Sequence, residues 1–291
     1  MFYKIKKQRV KYIIFPLLVL IAPTLFSQEN EQSLLWEISG NGLKHPSYLY
    51  GTIHIADERV FTFKEEVMNA FKSCNAFAME LEIEGVIKSD LLQKLIMDSS
   101  YTIQSLLSPE DYKLVSDFFR DSLKQNILMF NKIQPMFIAS MVSQRHFESD
   151  KNEVLDLYFY SLAKEQNKSI TGLETMEEQM NALKSISYQK QAEGLLDAVK
   201  NSSKNDKEIE LILDDYIRGD LEKLLQISSN KEISEDFIEV FINRRNRIMA
   251  DRAEAIMKEK SVFIAVGAAH LGGNNGMINL LRSKGYSIKA K

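Results

Sequence analysis

The stretch Ser261–Gly273, SVFIAVGAAHLGG, constrains the fold more than any other part of the chain. Val262, Phe263, Ile264, Ala265 and Val266 form an unbroken apolar run with β-branched and aromatic members, which predicts a central strand buried on both faces of a sheet. Gly267 ends the run. The small-residue corner Gly267-Ala268-Ala269 then delivers His270 just past the carboxyl end of the strand, and Gly272, Gly273 and Gly276 let the backbone pass close to whatever the imidazole faces. Open α/β sheets keep their chemistry at that rim.

The same device recurs more than two hundred residues earlier, where Tyr48, Leu49 and Tyr50 run into Gly51-Thr52-Ile53-His54. One strand-end histidine is ordinarily a satisfied core or turn residue. Here two of only four histidines occupy the fourth position of a Gly-x-x-His that closes an apolar strand, which favours a shared site. The other two read as bland: His45 as an exposed loop residue, and His146 as a helix-terminal side chain facing carbonyls or solvent.

A third strand, Ala76–Ile83, is apolar as far as Met79 and then carries Glu80 and Glu82 two apart, so that both carboxylates point to one face of the sheet. Burying a carboxylate without a partner costs several kcal/mol, so an internal Glu80 has to meet a metal, an arginine or a hydrogen-bond donor. Ahead of it, Leu34–Ile38 and Ser47–Ile53 read as antiparallel strands joined through Gly40-Asn41-Gly42.

With these motifs in order, the chain resembles the TraB/GumN family, also called the TIKI/TraB group. GTIH at 51–54, MELE at 79–82 and GAAHLGG at 267–273 match its two G-x-x-H elements and the acidic element after the first. Gly172-Leu173-Glu174-Thr175 with Glu177-Glu178-Gln179, and Arg245-Asn246 ahead of the last motif, match two intermediate elements. The likeness runs from about Leu34 to the C-terminus. It implies that Glu80 is the acidic site residue, with Glu82 second, and that Glu174 and Arg245 line the site. It also implies a metal-dependent, peptidase-like hydrolase, while the association of other members with peptide pheromones leaves room for sequestration.

Residues 1–27 read as a signal peptide. Lys4, Lys6, Lys7, Arg9 and Lys11 precede the apolar stretch Tyr12–Phe26, and Ser27 offers a small residue for cleavage. The apolar run is about fifteen residues and is broken by Pro16 and Pro23, short of the roughly twenty a spanning helix needs. Export to the periplasm or the extracellular space follows. Its removal takes away five positive charges and no acids, moving the formal balance from −3 to −8, which argues against nucleic acid and anionic membrane as partners. Cys74 is the only cysteine, so no internal disulfide forms and it reads as a small buried hydrophobe.

Residues 28–291 are expected to form a single TraB/GumN-like domain of the α/β class, a mixed central sheet built from N- and C-terminal strands around a large helical insertion. Ser108-Pro109-Glu110-Asp111 caps a helix carrying Leu114, Val115, Phe118 and Phe119, and Pro135 opens another with Phe137, Ile138, Met141 and Val142. These stripes read as core, or as a groove for apolar peptide. Lys168–Leu173 reads as a short strand, with Glu174-Thr175 opening the next helix.

Two neutral imidazoles and one or two carboxylates at strand ends suit a divalent transition metal such as manganese, cobalt or zinc, with His54, His270 and Glu80 as ligands. A peptide or protein is the expected substrate. No H-E-x-x-H, G-x-S-x-G or P-loop is present, which disfavours zincin, serine-hydrolase and nucleotide chemistry. Two alternatives use the same cleft: a peptide-binding protein without catalysis, and a metal-free hydrolase in which His54 is general base beside Glu80.

Overall fold

The computed structural model describes residues 32–81, 91–145, 153–228 and 238–291. The signal-peptide segment, its cleavage position, Glu82 and His146 lie outside the described residues. Strands β1 (Leu35–Ser39), β2 (Ser47–Thr52), β3 (Ala76–Leu81), β4 (Ser169–Glu174), β5 (Val262–Gly267) and β6 (Ser287–Ala290) form one sheet in the order β4-β3-β5-β2-β1-β6. The four strands β4, β3, β5 and β2 run parallel, whereas β1 pairs antiparallel with both β2 and β6. The run Val262–Val266 lies in the middle with no exposed surface, as a strand with covered faces and two neighbours must. Between β1 and β2, Gly40, Asn41 and Gly42 all take positive φ (79°, 44° and 82°), a conformation that glycine and asparagine enter most cheaply.

Helix α1 (Glu65–Ser73) connects β2 to β3. Between β3 and β4 come α2 (Pro109–Asp121), α3 (Pro135–Gln144) and α4 (Leu155–Glu165), with shorter helical turns. Between β4 and β5 come α5 (Met176–Lys184), α6 (Tyr188–Lys200), α7 (Ser202–Arg218), α8 (Leu221–Ser228) and α9 (Arg244–Glu259), and α10 (Met277–Ser283) leads into β6. The architecture is the mixed α/β sheet with a large helical insertion that the strand pattern predicts.

Strand alternation sorts the core into two layers. Trp36, Ile38, Leu49, Ala78, Ile264 and Val266 face α7 to α10, while Leu35, Tyr50, Phe77, Met79, Phe263 and Ala265 face Phe71 of α1 and Phe159 of α4. A third cluster, including Val115, Phe119, Ile138, Val142 and Leu195, is the insertion's own core. The stripe on α3 is therefore core, with Ile138 and Val142 buried. On α2 only Val115 and Phe119 are buried and Leu114 is 40% exposed, because a helix resting on one layer covers a narrow arc. Ser108 caps α2 by accepting from the Asp111 amide at 3.1 Å, with Pro109 at the first helical position. Cys74 is buried and unpaired, its thiol pushed up to about 11 by desolvation.

Candidate functional site

Parallel strands put their carboxyl ends on one rim, and four adjacent strands end there with polar groups. The register pairs Thr52 with Gly267, Met79 with Ala265, and Leu81 with Glu174. His54, His270, Glu80 and Glu174 therefore follow or finish neighbouring strands at one edge, where ligands of open α/β sheets gather. Glu174 is the last residue of β4 rather than the start of a helix. Thr175 takes the cap position, its hydroxyl accepting from the Glu178 amide at 3.2 Å, and that cap ends the strand one residue later than the sequence pattern predicts.

Arg245, in the first turn of α9, is the hub. Its Nε donates to Glu174 Oε1 and Oε2 at 2.9 and 3.0 Å, and its Nη2 to Glu174 Oε2 at 2.6 Å and Glu80 Oε2 at 2.7 Å. The Glu174 side chain has no exposed surface, and those of Glu80 and Arg245 are 12% and 15% exposed. The forked geometry suits guanidinium, which lysine would not replace. A π-helical turn, Glu239–Asn243, precedes α9, and Arg245 Nη1 donates back to the Phe241 carbonyl at 3.1 Å.

Glu80 Oε1 accepts the Gly267 amide at 2.7 Å and lies 3.6 Å from His270 Nε2. A Cβ on residue 267 would come within 3.2 Å of that oxygen and 3.6 Å of the imidazole, so glycine holds strand β5 against the carboxylate. Burial acts to raise the Glu80 pKa, but the cationic form of His270, Arg245 and the Gly267 amide outweigh it and bring it to about 2. The carboxylate is ionised throughout the neutral range.

His270 is buried, and its Nδ1 lies 2.6 Å from Asn246 Oδ1. Asn246 has no exposed surface and donates its Nδ2 to the Asn275 carbonyl at 2.8 Å. That second bond assigns the amide orientation, so Oδ1 is the acceptor and Nδ1 carries the proton. Burial lowers the His270 pKa and favours neutral imidazole, although Glu80 pulls the other way. The Nε2 lone pair then faces an anionic oxygen across 3.6 Å.

His54 stands in the loop after β2, its side chain 60% exposed, with Nδ1 3.3 Å from Asp156 Oδ2. Asp156, in the first turn of α4, is buried, and its Oδ1 accepts the Thr52 hydroxyl at 2.9 Å. The His54 contact is an ion-pair distance rather than an aligned hydrogen bond, since Oδ2 accepts none among the described residues. Burial raises the Asp156 pKa and the Glu80 charge adds to it, against the pull of His54.

A proton or a metal ion between His270 Nε2 and Glu80 Oε1 would offset the repulsion of these two acceptors, and imidazole with carboxylate is a transition-metal donor set. Glu80, Glu174 and Asp156 together also outnumber the single guanidinium. His270 Nε2 and Glu80 Oε1 are two donors of the kind a divalent cation takes. Among the described residues no three histidine, cysteine or acidic side chains close on one point, because His54 is turned to Asp156.

A family model described as the TraB/PrgY/gumN family matches residues 34–290, nearly the whole described sheet and its helices. The chain belongs to the TraB/PrgY/gumN family. It is similar to Metalloprotease TIKI2 of Xenopus tropicalis, 26% identical over 90% of this chain and 60% of that relative. It is also similar to Metalloprotease TIKI1 of Danio rerio, 23% identical over 90% of this chain and 64% of the relative. An uncharacterized protein of Treponema pallidum is 20% identical over 90% of this chain and 83% of its own length. The chain thus spans less than two thirds of the length of these two TIKI relatives. No solved structure matches it.

Among the residues singled out in this TraB/PrgY/gumN chain, Glu80, Glu174 and Arg245 meet in one hydrogen-bonded cluster, with His270 Nε2 3.6 Å from Glu80. His54 bonds to none of them and joins Asp156 instead, within electrostatic reach of Glu80 and His270. Asp156 escaped the sequence reading. Its signal is one acid inside the apolar helix LDLYFYSL, a position that an unpaired carboxylate would not occupy. Asn246 was visible as a motif neighbour of Arg245, but not as the residue that orients His270.

Proposed function

We propose that the chain is a peptidase-like, metal-dependent hydrolase, exported to the periplasm or the extracellular space, acting on a peptide or protein. The reading is carried by His270, whose Nδ1 is committed to Asn246 while Nε2 faces ionised Glu80 at 3.6 Å. The printed names of the TIKI relatives support the same reaction class. A divalent ion held by His270 Nε2, Glu80 Oε1 and a His54 turned from Asp156 would supply Lewis acidity and a water acidic enough to attack at neutral pH. Asn246 fixes the imidazole tautomer, as outer partners of ligating histidines do. Arg245 keeps Glu80 ionised and shields it from Glu174. Glu174 in turn anchors Arg245, whose Nη2 hydrogens are shared between the two carboxylates.

The test is metal content and peptide turnover of the purified protein. Wild type should hold about one metal ion per chain, and His270→Ala should lose metal and turnover together while its circular dichroism is retained. Hydrolysis by the His54→Ala/His270→Ala variant under saturating chelator would sink the reading. The His54–Asp156 pair favours a second reading, metal-free general base catalysis with Asp156 orienting His54. In that case wild type turns over in chelator and Asp156→Asn abolishes the activity. Peptide binding without turnover in either condition would leave the sequestering alternative.

A further inference from the structure

Beside His270 the loop Gly272–Gly276 forms one wall of a cavity of about 270 Å³. Leu225 of α8 and Ile238 and Ile242 at the π-helical turn supply apolar walls, and Ala269 adjoins His270 itself. No ionisable side chain lines it among the described residues. Residue 272 has no side chain to fill the space beside Leu225, whose Cδ1 would lie 2.7 Å from a Cβ there. The volume lies just under the roughly 300–1,000 Å³ of whole-ligand clefts, which suits one side chain of a longer ligand.

We infer that this cavity is the subsite for one uncharged, apolar side chain, such as leucine, methionine or phenylalanine, next to the bond cleaved in the substrate peptide. The assignment as a cleavage subsite rests on the proposed hydrolase reading; the apolar binding site itself does not. Three observations carry it. The lining is uncharged among the described residues and its walls at Leu225, Ile238 and Ile242 are apolar, so a charged side chain would lose its hydration there without a partner among them. Gly273, Asn274 and Asn275 are exposed on the loop, so the mouth of the cavity is open to a ligand. The same loop is tied to the catalytic rim, because the Asn275 carbonyl holds Asn246, which holds His270. A side chain entering the cavity therefore presses on the loop that sets the orientation of the imidazole.

The experiment has two arms on the full chain. In the first, N-acetyl-leucine amide, N-acetyl-phenylalanine amide and N-acetyl-aspartate amide are titrated while the backbone amides of Gly272, Gly273 and Gly276 are followed by NMR. The two apolar amides should shift these resonances and the aspartate amide should not, and Ile238→Trp or Leu225→Trp, on different walls, should weaken binding about tenfold or more. In the second, cleavage sites in an unbiased peptide mixture are mapped by mass spectrometry for wild type and Ile238→Glu. An apolar residue should recur at one fixed position beside the cleaved bond, and Ile238→Glu should move that preference toward lysine and arginine. If the apolar amides leave the loop unshifted, or the cleavage preference is the same in wild type and Ile238→Glu, the subsite is refuted. If no peptide is cleaved while the apolar amides still shift the loop, the hydrolase reading and the cleavage role fail and the apolar binding site stands.

Discussion

Replacing Arg245 by methionine removes the one cation that two buried carboxylates share. At about 4 Å between charge centres and an effective dielectric of about 20, one ion pair is worth ~4 kcal/mol. Arg245 serves two such pairs, with a Glu174 side chain that has no contact with water. The loss is capped because a stranded carboxyl takes up a proton instead, so the expected cost is about 3–5 kcal/mol, the range for breaking a buried pair from one side. For a chain of this size that is a fall of about 6–20 °C in melting temperature. Urea unfolding in the presence of chelator, which removes any metal that could substitute for the guanidinium, measures it. Adding Glu174→Gln removes the fully buried charge while keeping its shape, and should restore about half of the loss. A cost below about 1 kcal/mol, or a Glu174→Gln effect of the same size and sign with and without Arg245, would show that the carboxylates do not depend on this arginine.

Asn246→Leu leaves Nδ1 of His270 without its acceptor and should lower turnover and metal affinity about 10–100-fold, the usual cost of an outer partner of a ligating histidine, as read from kinetics and metal titration. Gly267→Ala places a Cβ within 3.2 Å of Glu80 Oε1 at a residue with ordinary φ, so activity should fall far more than the urea midpoint. Stability should also decline in acid. Hydrogen bonds from Arg252 to Glu178, and from Lys258 and Lys284 to Glu254, hold both carboxyls at about 2, below their ordinary 4.5. Depressed folded-state values stabilise above the unfolded pKa and are lost as pH falls, so the urea midpoint should drop between about pH 5 and pH 2 and less steeply in Glu178→Gln/Glu254→Gln.

The strand framework was legible because burial on both faces leaves a continuous apolar run, and Gly-x-x-His marks where such a run turns away from the sheet. Glu80 was legible for a related reason: a carboxylate at the end of a buried strand has to find a partner. What short-range patterns cannot carry is which partner. Asp156 meets Thr52 across 104 residues of chain and sits on a helix whose periodicity reports core, so neither the pairing nor its diversion of His54 was visible. Glu174 was placed in the wrong element because Thr175 and Glu178 form a capping box, and acids before a helix look like part of its first turn.

Strand β5 is fifth in sequence but lies between β3 and β2, so the two halves of the sheet have no shared edge until residues 262–267 arrive. The residues ahead of β5 hold Glu80, Glu174 and Arg245, but neither His270 nor the strand that brings His54 alongside them. The central strand is thus the keystone of the rim: Glu80, Glu174 and Arg245 meet across β3 and β4 alone, and only β5 adds His270 and draws the strand before His54 to their side.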